Sequence, residues 1–245
     1  MGGCGVITFY TSPRNFEPPY DVWQDNAIRS WLALKPTPQV VLIGDRETAV
    51  EAKRLGVQFG ESDGDLPSVR HIIRAGEQRA GYPVICFLNA DNVLLPTFYA
   101  DIAPVVWQYE RFMCIGRRTN LDVDGSIDST SPEFAIQVEQ HGTPGGWTGL
   151  DYFIYRGFSL ADGMPDFKIG RGFYDNWLVR RILWGAIPLI DITGALTVVH
   201  ENHPCGKKAF TGHQVRNRAL AQLDRRYGIK TTNLRLDAHG KIKET

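Results

Sequence analysis

The chain has 245 residues, which suits one large domain or a domain with an elaborated end. Lysine plus arginine and aspartate plus glutamate both number 27, so the formal charge is zero and no global basic field argues for nucleic acid or an anionic membrane as partner. Hydrophobic residues make up 43% and aromatic residues 11%, ordinary for a globular protein, and no apolar run approaches the length of a membrane span.

The opening Met1-Gly2-Gly3-Cys4-Gly5-Val6 lacks the layout of a secretory signal. Gly2 with Cys4 resembles a dual-acylation start, but Val6 stands where that motif needs serine or threonine. Cys4, Cys86, Cys114 and Cys205 are scattered, and they read as reduced thiols of an intracellular protein, neither a disulfide framework nor a zinc knuckle. Residues 5–10 predict a first strand that closes in Thr11-Ser12-Pro13-Arg14, a proline turn on these residues alone. After a proline-rich link, Asp21 is placed to cap a helix through about Leu34, with Trp23, Ala27, Ile28, Trp31 and Leu32 as its apolar stripe.

Residues 39–44 (Gln-Val-Val-Leu-Ile-Gly) predict a second, buried strand ending in Asp45, which can cap a helix over 47–55. A short strand over 57–59, an acidic loop over 60–66 and a helix over 67–80 before Gly81 follow. Then comes Pro83-Val84-Ile85-Cys86-Phe87-Leu88, an uncharged run of the kind buried on both faces of a parallel sheet. It stops abruptly in Asn89-Ala90-Asp91-Asn92. Side chains alternate along an extended chain, so Asn89 and Asp91 share a side. A carboxylate at the carboxyl end of such a strand lies where open α/β sheets bind ligands, and it suits a divalent cation bridging a diphosphate. The bland alternative is turn chemistry.

A helix through Trp107 and a strand near 112–116 carry on. Residues 120–146 show little periodicity, as in lids and substrate-binding loops. Trp147 and Asp151 then lead into an alternating aromatic strand, and Gly170-Arg171-Gly172-Phe173-Tyr174-Asp175 opens a helix through about Trp184, with Asp175 as N-cap or as a functional acid. Short apolar runs at 189–192 and 196–199 precede His200-Glu201-Asn202-His203-Pro204. A zinc-protease reading fails there, because the second histidine comes one residue early and the segment follows a strand. The tail carries Lys207, Lys208, Arg216, Arg218, Arg225 and Arg226, with a helix over 212–227 and frayed residues at the end. With no repeat and no linker, the expectation is a single α/β domain over 1–245. Its mostly parallel, doubly wound central sheet has flanking helices, and 206–245 form a C-terminal helical extension.

Three segments carry a resemblance. Asn89-Ala90-Asp91 after its buried strand resembles the Asp-X-Asp motif of glycosyltransferase-A fold nucleotide-sugar transferases, with asparagine in place of the first acid. Tyr174-Asp175 resembles the acid pair at a helix start in the inverting, family-2-like members, again without its first acid. His200, with His203 as the alternative, matches their late histidine after a strand. The resemblance runs from about Gly5 to His203 in the right order.

It implies a metal-dependent transferase that moves a sugar from a UDP- or GDP-sugar donor to a hydroxyl of a glycan, lipid-linked or small-molecule acceptor. Asp91 and His200 would hold Mn²⁺ or Mg²⁺, and Asn89 would bond the ribose or a metal-bound water. Thr11 and Ser12 would contact the nucleotide, Asp45 would read base or ribose, and Trp147 and Asp151 would position a sugar. Asp175 would be the general base of an inverting displacement. Lys207 and Lys208 either approach the diphosphate or form a solvated basic face. By the same analogy the protein is cytoplasmic and serves polysaccharide or glycolipid synthesis, with room for peripheral membrane association but without a span. Two alternatives stay open: a catalytically decayed sugar-nucleotide or glycan-binding module, and a sugar-nucleotide pyrophosphorylase. The second lacks its Gly-rich triphosphate loop, since Thr11-Ser12-Pro13-Arg14 stands there.

Overall fold

A computed structural model describes residues 7–202 and 212–245. Cys4, His203, Cys205, Lys207, Lys208 and the acylation-like start lie outside the described residues. Strand and helix alternate through the first half: β1 Ile7–Thr11, α1 Tyr20–Ala33, β2 Gln39–Gly44, α2 Arg46–Leu55, β3 Gln58–Glu61, α3 Val69–Arg79 and β4 Val84–Leu88. The second half is β5 Asn92–Leu94, α4 Phe98–Gln108, β6 Phe112–Ile115, β7 Thr119–Leu121, α5 Pro132–His141, β8 Thr143–Pro144, β9 Tyr152–Arg156, α6 Tyr174–Trp184, β10 Leu189–Asp191, β11 Val198–Glu201, α7 Gly212–Ala221, β12 Leu234–Leu236 and β13 Ile242–Glu244.

Among the described residues, nine strands form the central sheet in the order β13-β12-β10-β6-β9-β4-β1-β2-β3. Its pairs are parallel except where β9 runs against β4 and β6, and β13 against β12. A small sheet, β5-β11-β7-β8, adds four strands. Period-two alternation explains the two cores. Phe9, Val40, Leu42, Cys86 and Cys114 face one side with Ile28 and Trp31 of α1 and Val105 of α4. Tyr10, Val41, Ile43, Phe87 and Met113 face the other with Ile72 of α3 and Leu178 and Ile182 of α6. Each fully buried large apolar side chain contributes roughly 1.5–3 kcal/mol. Gly76 lets α3 lie directly on the Tyr10 ring, where a Cβ would come within 2.4 Å of ring carbons. The Tyr10 hydroxyl is in turn satisfied by Tyr155 at 2.9 Å, and Tyr155 by the Glu77 carboxylate at 2.8 Å.

Several expectations are corrected. Asp21 does not cap α1; the N-cap position is Pro19, and no side chain bonds there. Residues 120–146 are not one loop, because Ser131 caps α5 by accepting from the Phe134 amide at 3.1 Å, and β7 and β8 join the small sheet. α5 buries only Phe134 and Val138, and Ile136 between them is exposed, so its apolar residues mark no clear face in the sequence. The C-terminal segment is not simply a helical extension: α7 stops at Ala221, and β12 and β13 extend the central sheet. The final residues accordingly include a strand. Cys86 and Cys114 are buried free thiols, and burial pushes both well above the ordinary range. Among the described residues, no helix is long and apolar enough to cross a membrane.

Candidate functional site

The site lies at the carboxyl edge of the central sheet. β4 ends at Leu88, and a tight turn closed by the Asn92 amide on the Asn89 carbonyl (3.2 Å) delivers the chain into β5. β5 pairs antiparallel with β11 so that Asn92 faces His200 in the ladder. That register sets Asp91 beside the imidazole, with Oδ2 3.3 Å from Nε2. His200 is only 3% exposed. Burial pulls its imidazolium down, but the hydrogen bond and charge of Asp91, with the charge of Asp151 behind, carry it above the ordinary histidine value.

Asp151 is the hub of the turn. Its backbone carbonyl accepts from the Asn89 amide at 2.8 Å and from Asn92 Nδ2 at 3.0 Å. Its carboxylate accepts from Asn89 Nδ2 at 2.9 Å and from Arg118 Nη1 at 2.6 Å. Both carboxylate oxygens are therefore engaged by the protein. Arg118 also donates from Nε to Asn120 Oδ1 at 2.8 Å, and Asn120 lies opposite His200 in the β7–β11 ladder. Because β9 runs against its neighbours, its first residues start at the carboxyl edge, which is how Asp151 reaches β4.

Asp175 enters from α6. The N-cap position of α6 is Phe173, whose φ of 71° is left-handed, with no side-chain cap, so Asp175 is not the cap that its residue type suggests. It sits in the first turn with Oδ1 buried and without a hydrogen-bond partner. Burial raises its carboxyl to about 6, with the charge of Asp151 adding, although the amides of Asn176 and Leu150 favour the ionised form. Those contacts tie Asp175 to the segment that carries Asp151. Asn176 Nδ2 then binds the Thr148 carbonyl at 3.2 Å and the Tyr227 carbonyl at 2.6 Å.

The other expected residues lie along the same edge or beside it. Thr11 ends β1, is 1% exposed and is paired with Leu42; Ser12 follows it. Asp45 follows β2 and caps α2, accepting from the Thr48 amide at 3.0 Å and its hydroxyl at 3.1 Å, which holds its carboxyl below the ordinary range. Trp147 is half-buried, its carbonyl accepting from the Ile229 amide at 3.0 Å and its ring lying 5.4 Å from Lys230 Nζ. Sequence reasoning missed Arg118 and Asn92. Arg118 had one available signal, a basic residue just past the buried strand β6. Asn92 had none beyond turn composition.

Among the described residues, no group of three or more histidine, cysteine, aspartate or glutamate side chains gathers as a metal centre. A carboxylate oxygen and an imidazole nitrogen 3.3 Å apart are nonetheless a donor pair that fits a divalent cation completed by ligand oxygens.

No protein-family model matches the chain, and no curated protein matches it. Solved structures do. GalNAc-T7 with UDP, GalNAc and Mn²⁺ superposes with a TM-score of 0.55 at 14% identity, over 87% of this chain and 47% of that one. TarS 1-349 from S. aureus with UDP-GlcNAc gives 0.53 at 10% identity, over 86% of this chain; the present chain spans 61% of its length. Glucosyl-3-phosphoglycerate synthase from Mycobacterium tuberculosis, with Mn²⁺, UDP-glucose and phosphoglyceric acid, gives 0.53 at 12% identity over 90% and 81%. The fold of this chain is the glycosyltransferase-A fold.

Proposed function

We propose that the protein is a metal-dependent glycosyltransferase, transferring a sugar from a nucleoside-diphosphate donor to a hydroxyl acceptor with inversion. The observation that carries this reading is the meeting of Asp91 and His200, from distant parts of the chain, at the carboxyl edge where Asp175 also arrives. The fold supports it, since the neighbours are UDP-sugar transferases and two of them hold Mn²⁺.

Asp91 and His200 would hold Mn²⁺ or Mg²⁺. When bound, the cation supplies positive charge against the leaving diphosphate, whose charge grows in the transition state. Asp175 takes the proton of the acceptor hydroxyl as that oxygen attacks the anomeric carbon. A carboxyl near 6 is well matched to this task, being ionised at neutral pH yet more basic than an exposed aspartate. Arg118 pairs with the Asp151 carboxylate, and together with Asn89 and Asn92 they hold the Asp91 turn in place. Trp147 offers an aromatic face for the sugar or acceptor, and Thr11, Ser12 and Asp45 line the nucleotide end.

One observation favours a second reading, a sugar-nucleotide-binding module. Asn89 replaces an acid, and its amide is spent on Asp151, which leaves Asp91 as the turn's single carboxylate. The two separate in a screen of UDP- and GDP-sugars with Mn²⁺, followed by a hydrolysis assay without acceptor. Thermal stabilisation with slow, metal-dependent hydrolysis supports the transferase. Stabilisation without turnover supports the module, and no stabilisation by any donor defeats both.

A further inference from the structure

We propose that the C-terminal segment clamps the catalytic half of the site and that Asn217 of α7 is a positioning residue for Asp175. For its functional meaning this rests on the reading of Asp175 as the base. Asn217 is fully buried, at 0% exposure, on a helix whose other residues are mostly exposed. Its amide behaves like a short strand laid beside the loop before α6. Oδ1 accepts from the Lys168 amide at 3.0 Å, while Nδ2 donates to the Lys168 carbonyl at 2.9 Å and the Gly172 carbonyl at 3.0 Å.

The last of these bonds matters most. Gly172 and Phe173 both adopt left-handed φ, 67° and 71°. For Phe173 that conformation is strained and persists only where the surroundings over-determine it. Asn217 secures the carbonyl just before that strained residue, and the next two positions are Tyr174 and Asp175. The same segment grips the other catalytic loop as well. The Ile229 amide bonds the Trp147 carbonyl at 3.0 Å, and the Tyr227 carbonyl accepts from Asn176 beside Asp175 at 2.6 Å. A tail that held only itself would not end three of its polar groups on the two loops that deliver Asp151 and Asp175.

A buried asparagine with three satisfied bonds serves stability too, so the test reads the Asp175 carboxyl directly. The full chain, carrying ¹³C in its aspartate carboxyls, is titrated by NMR, and Asp175→Asn identifies the resonance. The wild-type midpoint is expected at about 6. In Asn217→Ala and Asn217→Ser the loosened loop admits water, and the midpoint falls by ~1 pH unit toward the ordinary aspartate value. Arg216→Ala, which removes an exposed neighbour on α7, leaves it in place. An unchanged midpoint in the folded Asn217 variants overturns the proposal. Should both variants be unfolded, amide exchange on the unaltered chain decides: a Lys168 amide protected like those of α7 supports the clamp, and one exchanging as an open loop refutes it. None of these readouts needs turnover. Full transfer by Asp175→Asn would sink the base reading and leave the clamp measurement standing.

Discussion

Asp175→Asn separates chemistry from stability, because the two effects have opposite signs. The substitution keeps shape and removes a charge from a setting that disfavours it. Folding moves the carboxyl from 3.8 to about 6, which makes the charged form about 3 kcal/mol less stable in the folded state as an upper figure. The sign follows from linkage. Between those two values the folded chain binds more protons than the unfolded chain, so stability falls as pH rises through this window. The penalty is complete above about 6 and absent below the unfolded value. The neutral isostere removes it. At neutral pH Asp175→Asn should therefore be more stable than wild type by ~1–3 kcal/mol, or several degrees in melting temperature for a chain of this size. That gain should vanish in acid.

Transfer should fall ~10²–10⁴-fold, the usual contribution of a general base, and the wild-type limb of rate rising with pH through about 6 should disappear. Thermal unfolding across pH and donor turnover on the same samples check both halves. A variant less stable than wild type at neutral pH would refute the burial argument, and one with full turnover would refute the catalytic role.

Asp91→Asn and His200→Ala should each abolish the extra thermal stabilisation that Mn²⁺ gives to UDP binding, and EDTA should do the same to the wild type; a Mn²⁺ increment retained in either variant, or absent from the wild type, would count against the donor pair. Arg118→Ala leaves the Asp151 carboxylate, 10% exposed, without its cation, and should cost ~2–4 kcal/mol in denaturant unfolding, with part recovered in Arg118→Ala/Asp151→Asn. Additive losses in that double variant would show the pair to be uncoupled. Gly76→Ala puts a methyl against the Tyr10 ring and should cost ~1–3 kcal/mol by overpacking; an unchanged denaturation midpoint would mean α3 can shift freely. Trp31→Phe removes the donor to the Asn92 carbonyl, a 2.7 Å bond, and should cost ~1–3 kcal/mol for the stranded acceptor. A loss confined to the weight of the missing ring, with no change in metal response, would show that the turn does not depend on it.

The central strands and most helices were legible in the sequence because their signals are local. Residues 39–44, predicted as a buried strand, are β2 as it stands, and the uncharged run before Asn89 is β4. Burial on both faces demands such runs, and turn residues end them. The wider fold was legible too, since alternating strand and helix leave few arrangements other than a doubly wound sheet, here confirmed as the glycosyltransferase-A fold. Tertiary structure alone decided the rest. From the sequence Asp175 could be an N-cap or a functional acid, but left-handed Phe173 holds the cap position, and only burial gives the carboxyl its basic character. Asp151 looked like a sugar ligand, yet its oxygens meet Arg118 and Asn89, a contact made by strand order rather than by neighbouring sequence. The tail looked helical and loose, and its last strands found an open sheet edge while Asn217 found the Gly172 carbonyl. Periodicity reports which face of an element is buried; it carries no record of which distant polar group is waiting there.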